Sequence, residues 1–158
     1  MKIGVISDTH LRQADGSLED LLRGPFQEVE KILHAGDITE LPVLDIFRGK
    51  EVFAVCGNMD APSVRQQLPQ KRMIQAGKIK IGLIHGWGGS EGIEERIRRE
   101  FADVQCIVHG HTHFPSQNQR KGILFFNPGA FGGMGGLRRK SVGLLDVGDQ
   151  IAAEIIYL

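Results

Sequence analysis

Val104-Gln105-Cys106-Ile107-Val108-His109-Gly110-His111-Thr112-His113 is an apolar run that stops at a glycine and gives way to histidines two residues apart. Its first half reads as a buried strand, and its polar second half as the loop at the strand's C-terminal end. Open α/β sheets place their sites at that end. Four other runs finish in the same manner. Ile3-Gly4-Val5-Ile6 leads into Ser7-Asp8-Thr9-His10, Ile32-Leu33-His34 into Ala35-Gly36-Asp37, and Val52-Phe53-Ala54-Val55 into Cys56-Gly57-Asn58-Met59-Asp60. The run from Ile79 to Ile84 leads into His85-Gly86. Five strands thus deliver carboxylates, an amide and imidazoles to one edge.

The chain of 158 residues is of a length that suits one domain, 1–158, with a sizeable core. Lys+Arg 19 against Asp+Glu 19 leaves no net charge, so nothing global recruits nucleic acid or an anionic membrane, and any affinity for phosphate has to be local. Met1-Lys2-Ile3-Gly4-Val5 enters a strand with no basic or apolar leader, and no apolar stretch approaches the roughly 20 residues of a membrane span. A soluble cytoplasmic protein is expected. Cys56 and Cys106 lie in or beside apolar runs without CxxC spacing and read as reduced core residues.

Taken in order, Lys2 to Ile6 is the first strand. Ser17 to Lys31 carries helical spacing in Leu18, Leu21 and Leu22, is broken at Gly24-Pro25 and resumes with Phe26 and Val29, which predicts an interrupted helix. Pro42 to Phe47 predicts a short helix between strands ending at His34 and Val55. The first half is therefore β-α-β-α-β with some parallel strands. In the second half, Arg72 to Gln75 and Lys78 to Ile84 read as a hairpin, and Ser90 to Phe101 as an amphipathic helix with a solvated charged face including Glu94. Ser116 to Arg120, Ile123 to Phe126, Ser141 to Val147 and Ile151 to Leu158 alternate with turn dipeptides, so this half is expected to be largely antiparallel. Two sheets packed face to face, helices outside, accommodate both halves. Gly132 to Gly136 forms a glycine-rich loop on the side of the histidines, able to bring Arg138 or Arg139 to a substrate phosphate.

The strand-end residues are Asp8, His10, Asp37, Asn58, His85, His111 and His113. Asp8 and His10 alone amount to no more than a polar turn, but seven metal-competent side chains at the ends of five apolar runs point to metal. Carboxylate, amide and imidazole donors without thiolate suit a pair of borderline-to-hard divalent ions. With one carboxylate bridging, and Asp37 is the natural bridge, each ion receives four protein donors and keeps positions open for water and substrate.

In that order and at these separations, Asp8-Thr9-His10, Gly36-Asp37, Gly57-Asn58-Met59-Asp60, His85-Gly86 and Gly110-His111-Thr112-His113 resemble the calcineurin-like metallophosphoesterase superfamily. The short length and Asn127-Pro128-Gly129 resemble its small bacterial and archaeal phosphodiesterase branch. The resemblance implies a four-layer αββα sandwich of class α/β (α+β), with two mixed sheets and flanking helices. It implies that Asp8, His10, Asp37 and His113 hold one ion and Asp37, Asn58, His85 and His111 the other, with Mn²⁺ first and Zn²⁺, Ni²⁺ or Fe as alternatives. His109 inherits no ligand role and reads as a supporting residue; His34 reads as packing.

Paired ions acidify a bound water and clamp an in-line displacement. The expected activity is accordingly hydrolysis of a small phosphodiester or phosphomonoester by a metal-bridging hydroxide. Asn58 would stabilise phosphoryl charge and Asp60 would orient it. Met59 stands where many relatives carry a histidine able to protonate the leaving group. No long nucleic acid and no membrane are expected as partners, and a homo-oligomer is left open. The alternative is a protein-binding scaffold, since the same fold resembles a retromer coat subunit.

Overall fold

Alternation along the strands settles the layering. The computed structural model describes residues 1–132 and 139–158. Strands β1 (Lys2–Ile6), β2 (Lys31–His34) and β3 (Glu51–Ala54) run parallel, and β9 (Ser141–Val147) and β10 (Ile151–Tyr157) complete the sheet on the other side in the order β10-β9-β1-β2-β3. The second sheet, in the order β4-β5-β6-β8-β7, comprises β4 (Lys71–Ala76), β5 (Ile79–Ile84), β6 (Cys106–Val108), β7 (Ser116–Arg120) and β8 (Ile123–Asn127).

Ile3, Val5 and Leu33 from one sheet meet Ile81, Leu83, Cys106, Val108 and Phe126 from the other in a buried core between the sheets. The residues between them on the strands face outward. Ile6 and Ile32 pack with Leu18, Leu21, Phe26, Val43 and Phe47 under helix α1 (Gly16–Arg23) and the 3₁₀ helix Leu41–Phe47. On the far side, Ile84, Ile107 and Phe125 pack with Ile93, Ile97 and Phe101 of helix α3 (Ile93–Arg98) and its C-terminal turn. The result is the four-layer α/β sandwich. Each large apolar side chain removed from water contributes about 1.5–3 kcal/mol, which offsets the costly backbone conformations held at the sheet edge.

Several local expectations change. Helix α1 is capped by Asp15, whose carboxylate accepts from Ser17 N and Leu18 N, and ends at Arg23. It does not resume after Gly24-Pro25, because residues 24–28 form turns; Phe26 and Val29 are buried from that irregular segment. Helix α3 is shorter than Ser90 to Phe101, since Gly92 in the left-handed region (φ 69°) sets its start. A further helix, α2 (Pro62–Gln67), was not legible: it has six residues and buries only Val64. Glu94 is not on a solvated face, for its side chain is 11% exposed, lies 2.8 Å from Arg120 Nε and accepts from Asn118 Nδ2 at 2.7 Å.

The second half is also less antiparallel than the turn dipeptides suggest. After β6 the chain skips one strand position, lays down β7 at the edge and turns at Lys121-Gly122 to insert β8, which makes β8 parallel to β6. β5 and β6 are parallel too, so the antiparallel pairs of this sheet are the edge ones. The last hairpin, β9–β10, joins the first sheet. Cys56 and Cys106 are buried free thiols. Among the described residues no helix is long and apolar enough to cross a membrane.

Candidate metal centre

The loops that leave β1, β2, β3, β5 and β6 meet at one edge of the sandwich and are laced to each other through their backbones. Asp8 N donates to Gly36 O (3.0 Å), His10 N to Asp37 O (3.1 Å) and Gly110 N to His85 O (3.1 Å). Asp8, His10, Asp37, His111 and His113 all adopt positive φ, between 51° and 70°. A non-glycine residue pays on the order of 1–3 kcal/mol for such a conformation and keeps it only where its surroundings impose it.

Two imidazole pairs flank Asp37. On one side His10 Nε2 and His113 Nε2 face each other at 3.5 Å, and His113 Nε2 lies 3.0 Å from Asp8 Oδ1. Donor atoms of Asp8, His10, Asp37 and His113 all lie within 4.8 Å of one another. On the other side His85 Nε2 and His111 Nδ1 converge on Asn58 Oδ1 at 3.1 and 2.9 Å. Asp37 Oδ2 stands between the two, 3.9 Å from His10 Nε2 and 3.4 Å from His85 Nε2.

The hydrogen bonds around the rings show what the donor set suits. A carbonyl oxygen only accepts, so Ala35 O (2.7 Å) places a proton on His85 Nδ1, and Gly88 O (2.8 Å) places one on His111 Nε2. In the neutral rings the remaining nitrogens then present lone pairs to Asn58 Oδ1 and Asp37, an assembly of acceptors that calls for a cation. On the other side, Asp8 Oδ2 accepts from Ser7 Oγ (2.6 Å) and His111 N (3.2 Å), whereas Asp8 Oδ1 is buried without a hydrogen-bond donor. An uncompensated carboxylate oxygen is costly to bury. These residues fit divalent metal. The carboxylates act on the rings as well: the short contact with Asp8 raises the His113 imidazole above the ordinary histidine range, and at His85 burial opposes the charge but the bond to Asp37 and the field of Asp8 outweigh it. Asp37 is held below the usual carboxylate range, burial being outweighed by His85 and by the amide of Met59.

Buried polar residues brace this arrangement. Asp60 accepts from Thr39 N and Gly57 N, both at 2.7 Å, joining the exits of β2 and β3 behind Asn58. Arg65 of α2 donates to Asp60 O (2.9 Å) and to Asn58 O. His34 does more than pack. Its Nδ1 accepts from Gly36 N (3.2 Å), which leaves Nε2–H to donate to Thr9 Oγ1 (3.2 Å), so it ties the β1 exit to the turn before Asp37. Asn127, fully buried, donates to Gly110 O and Thr112 Oγ1 at 3.0 Å and fixes the turn between His109 and His113. His109 is buried beside Asn127, at 3.4 Å. Sequence reasoning missed Ser7, Thr9, Arg65 and the bracing by His34. The signal for Asn127 was Asn-Pro-Gly following an apolar strand.

Two glycines admit the carboxylates. A Cβ on Gly110 would stand 1.9 Å from Ser7 Oγ and 2.6 Å from Asp8 Oδ2, and one on Gly57 2.1 Å from Asp37 Oδ1. The glycine-rich loop is described only at its ends. Gly132 N donates to Asp8 O (2.9 Å), and the Arg139 guanidinium lies 5.2 Å from the centre of the Tyr157 ring, which gives it a partner other than a phosphate; residues 133–138, including Arg138, lie outside the described residues.

A cluster of carboxylates and imidazoles at the strand ends of an αββα sandwich defines a metal-binding α/β protein. The chain belongs to the calcineurin-like phosphoesterase superfamily, whose domain model matches residues 1–150. It is 35% identical over 160 residues to a probable metallophosphoesterase of Methanocaldococcus jannaschii, covering 99% of this chain and 81% of that protein. Among solved structures it is similar to wild-type Vps29 of Entamoeba histolytica complexed with zinc, 26% identical with a TM-score of 0.75 and 99% of each chain covered. An archaeal phosphodiesterase, 24% identical with a TM-score of 0.77 and 100% of each chain covered, shares the fold.

Proposed function

We propose that the chain, as one domain over residues 1–158, is a dinuclear metal-dependent phosphodiesterase. The observation that carries this reading is Asp37 Oδ2 standing between two imidazole pairs, each pair completed by a further oxygen donor, Asp8 or Asn58. Asp8, His10, Asp37 and His113 would hold one ion and Asp37, Asn58, His85 and His111 the other. Bound there, divalent ions supply Lewis acidity toward a phosphoryl oxygen and make water acidic enough to attack phosphorus at neutral pH. Mn²⁺ is the proposed metal, with Zn²⁺, Ni²⁺ and Fe as alternatives, because N and O donors do not separate these ions sharply.

The protein's own groups orient and receive charge. Asn58 carries an amide whose Oδ1 faces the imidazoles, leaving Nδ2 free to donate to a phosphoryl oxygen. Asp60 is a positioning residue: both its oxygens accept backbone N–H bonds, from Thr39 and Gly57. Met59, 62% exposed, is a thioether and has no proton to give a leaving group.

Hydrolysis of bis(p-nitrophenyl) phosphate with Mn²⁺ and with chelator tests the reading. His113→Ala is expected to lose bound metal and at least about 100-fold in activity together, measured as metal per chain and kcat/KM. Two ions retained at wild-type turnover would remove His113 from the site. A missing general acid costs about 10²–10⁴-fold, most for poor leaving groups. Rates over diesters of graded leaving-group pKa should therefore fall steeply, and Met59→His should flatten the series; a flat wild-type series contradicts this account of Met59. The likeness to Vps29 supports the second reading, a protein-binding scaffold. That reading stands if metal-loaded protein hydrolyses no diester above the metal blank.

A further inference from the structure

An open cavity of about 810 Å³ adjoins the metal centre on the side of Asn58 and His85, walled by Arg65, Gln70, Lys71 and Trp87. Its volume lies in the range of sites for small organic ligands, about 300–1,000 Å³. Trp87, the one tryptophan of the chain, comes two residues after His85 and is 44% exposed. Its backbone nonetheless is fastened from two directions. Arg96 of α3 donates to the carbonyls of Trp87 (3.1 Å), Glu91 (2.8 Å) and Gly89, and Gly88 O takes the His111 bond. A large apolar ring is thus held out beside the centre, on a rigid backbone, with much of its surface in water. Aromatic rings gain by covering such a surface with another flat ring.

The rest of the lining supplies polar groups of a particular kind. Lys71 is engaged by Glu100, donating to its carboxylate at 2.8 Å and its carbonyl at 3.1 Å, so it is not free to neutralise a second phosphate. Arg65 is anchored by Asn58 O and Asp60 O, and Gln70 offers an amide with both donor and acceptor. One aromatic face, one amide and one anchored guanidinium match the flat face and hydrogen-bonding edge of a nucleobase.

We propose that this cavity is a nucleobase subsite, so that the substrate is a nucleoside phosphodiester of one or two nucleotides. The base stacks on Trp87, and the phosphate reaches Asn58 and His85. The proposal rests on the phosphodiesterase reading and names its substrate class. Zero net charge fits a short ligand of this kind.

The single tryptophan provides a readout independent of turnover. AMP titrated into Mn²⁺-loaded protein should quench Trp87 fluorescence saturably, whereas ribose 5-phosphate, which carries the phosphate without the base, should bind at least about tenfold more weakly. By calorimetry, Trp87→Ala should weaken AMP about 10- to 100-fold and leave ribose 5-phosphate unchanged, and Trp87→Phe should restore most of the loss. The substitution is at an exposed ring and keeps the carbonyl that Arg96 holds, so the fold is not at stake. Equal affinities for AMP and ribose 5-phosphate, or unaltered AMP binding in Trp87→Ala, would overturn the subsite. Base-selective binding in a protein that hydrolyses no diester would support the subsite while refuting the esterase reading.

Discussion

Gly110→Ala is expected to lose at least about 100-fold in both metal affinity and turnover, although it adds only a single methyl group. The methyl would stand 1.9 Å from Ser7 Oγ and 2.6 Å from Asp8 Oδ2. Ser7 donates to that carboxylate oxygen at 2.6 Å, and His111 N donates to it at 3.2 Å. Relief therefore requires Asp8 to leave, and with it the oxygen nearest His113. Overpacking of this kind also costs about 1–3 kcal/mol of stability. Gly16→Ala, at the start of α1 where an added Cβ meets nothing within 4 Å, should change neither quantity. Metal per chain and kcat/KM in the two variants decide the matter. A Gly110→Ala protein that keeps its metal and activity would show that Asp8 is not required where it stands.

Acid should unfold the metal-free protein over a defined window. Burial pushes the His34 imidazole down to about 3 and that of His109 down to about 4, so both are neutral in the folded chain. In the unfolded chain they protonate near 6.5. The stability they contribute is fully present above about pH 6.5 and is lost as pH falls toward their folded values, at about 1.4 kcal/mol per pH unit for each. By pH 4 the two together have removed about 7 kcal/mol, against a total of about 5–15 for an ordinary domain. His85 and His113 do not cancel this, because their folded values are raised and their effect is complete above the window. Denaturant unfolding at graded pH in chelator measures the slope. His34→Gln should reduce it by about half, and a wild-type slope near zero between pH 6.5 and 4.5 would mean that these histidines protonate without unfolding.

These two expectations differ in how much of them the sequence revealed. The metal-competent residues were legible because each follows an apolar run, and a strand end is a place that periodicity alone can find. The tight contact at Gly110 was not, since Ser7 and Asp8 lie a hundred residues away and their approach follows from β1 and β6 sitting in facing sheets. His34 was read as packing for a related reason: burial and hydrogen bonding to Gly36 and Thr9 depend on the layer that covers β2. Sheet order escaped in the same way. The dipeptides Lys121-Gly122 and Gly148-Asp149 identify hairpins but not which sheet a hairpin joins, and β9–β10 crossed to the first. Helix α2 carried too little periodic signal to be seen, and α3 was drawn too long because charged residues continue past its hydrogen-bonded core.

The place of β9 beside β1 has a bearing on how the chain is made. Lys2 lies opposite Asp146 and Val5 opposite Gly143, and Met1 donates to Val147 O. During synthesis β1 therefore waits for β9, more than a hundred residues later, before both its edges are paired. Contacts so distant along the chain slow folding and leave an open strand edge meanwhile. The loop bearing Asp8 and His10 is pinned on one side by Phe131 and Gly132, which donate to Ser7 O and Asp8 O. A nascent chain halted before those residues emerge has translated all seven proposed metal donors, yet still lacks the two backbone bonds that hold the first of them in place.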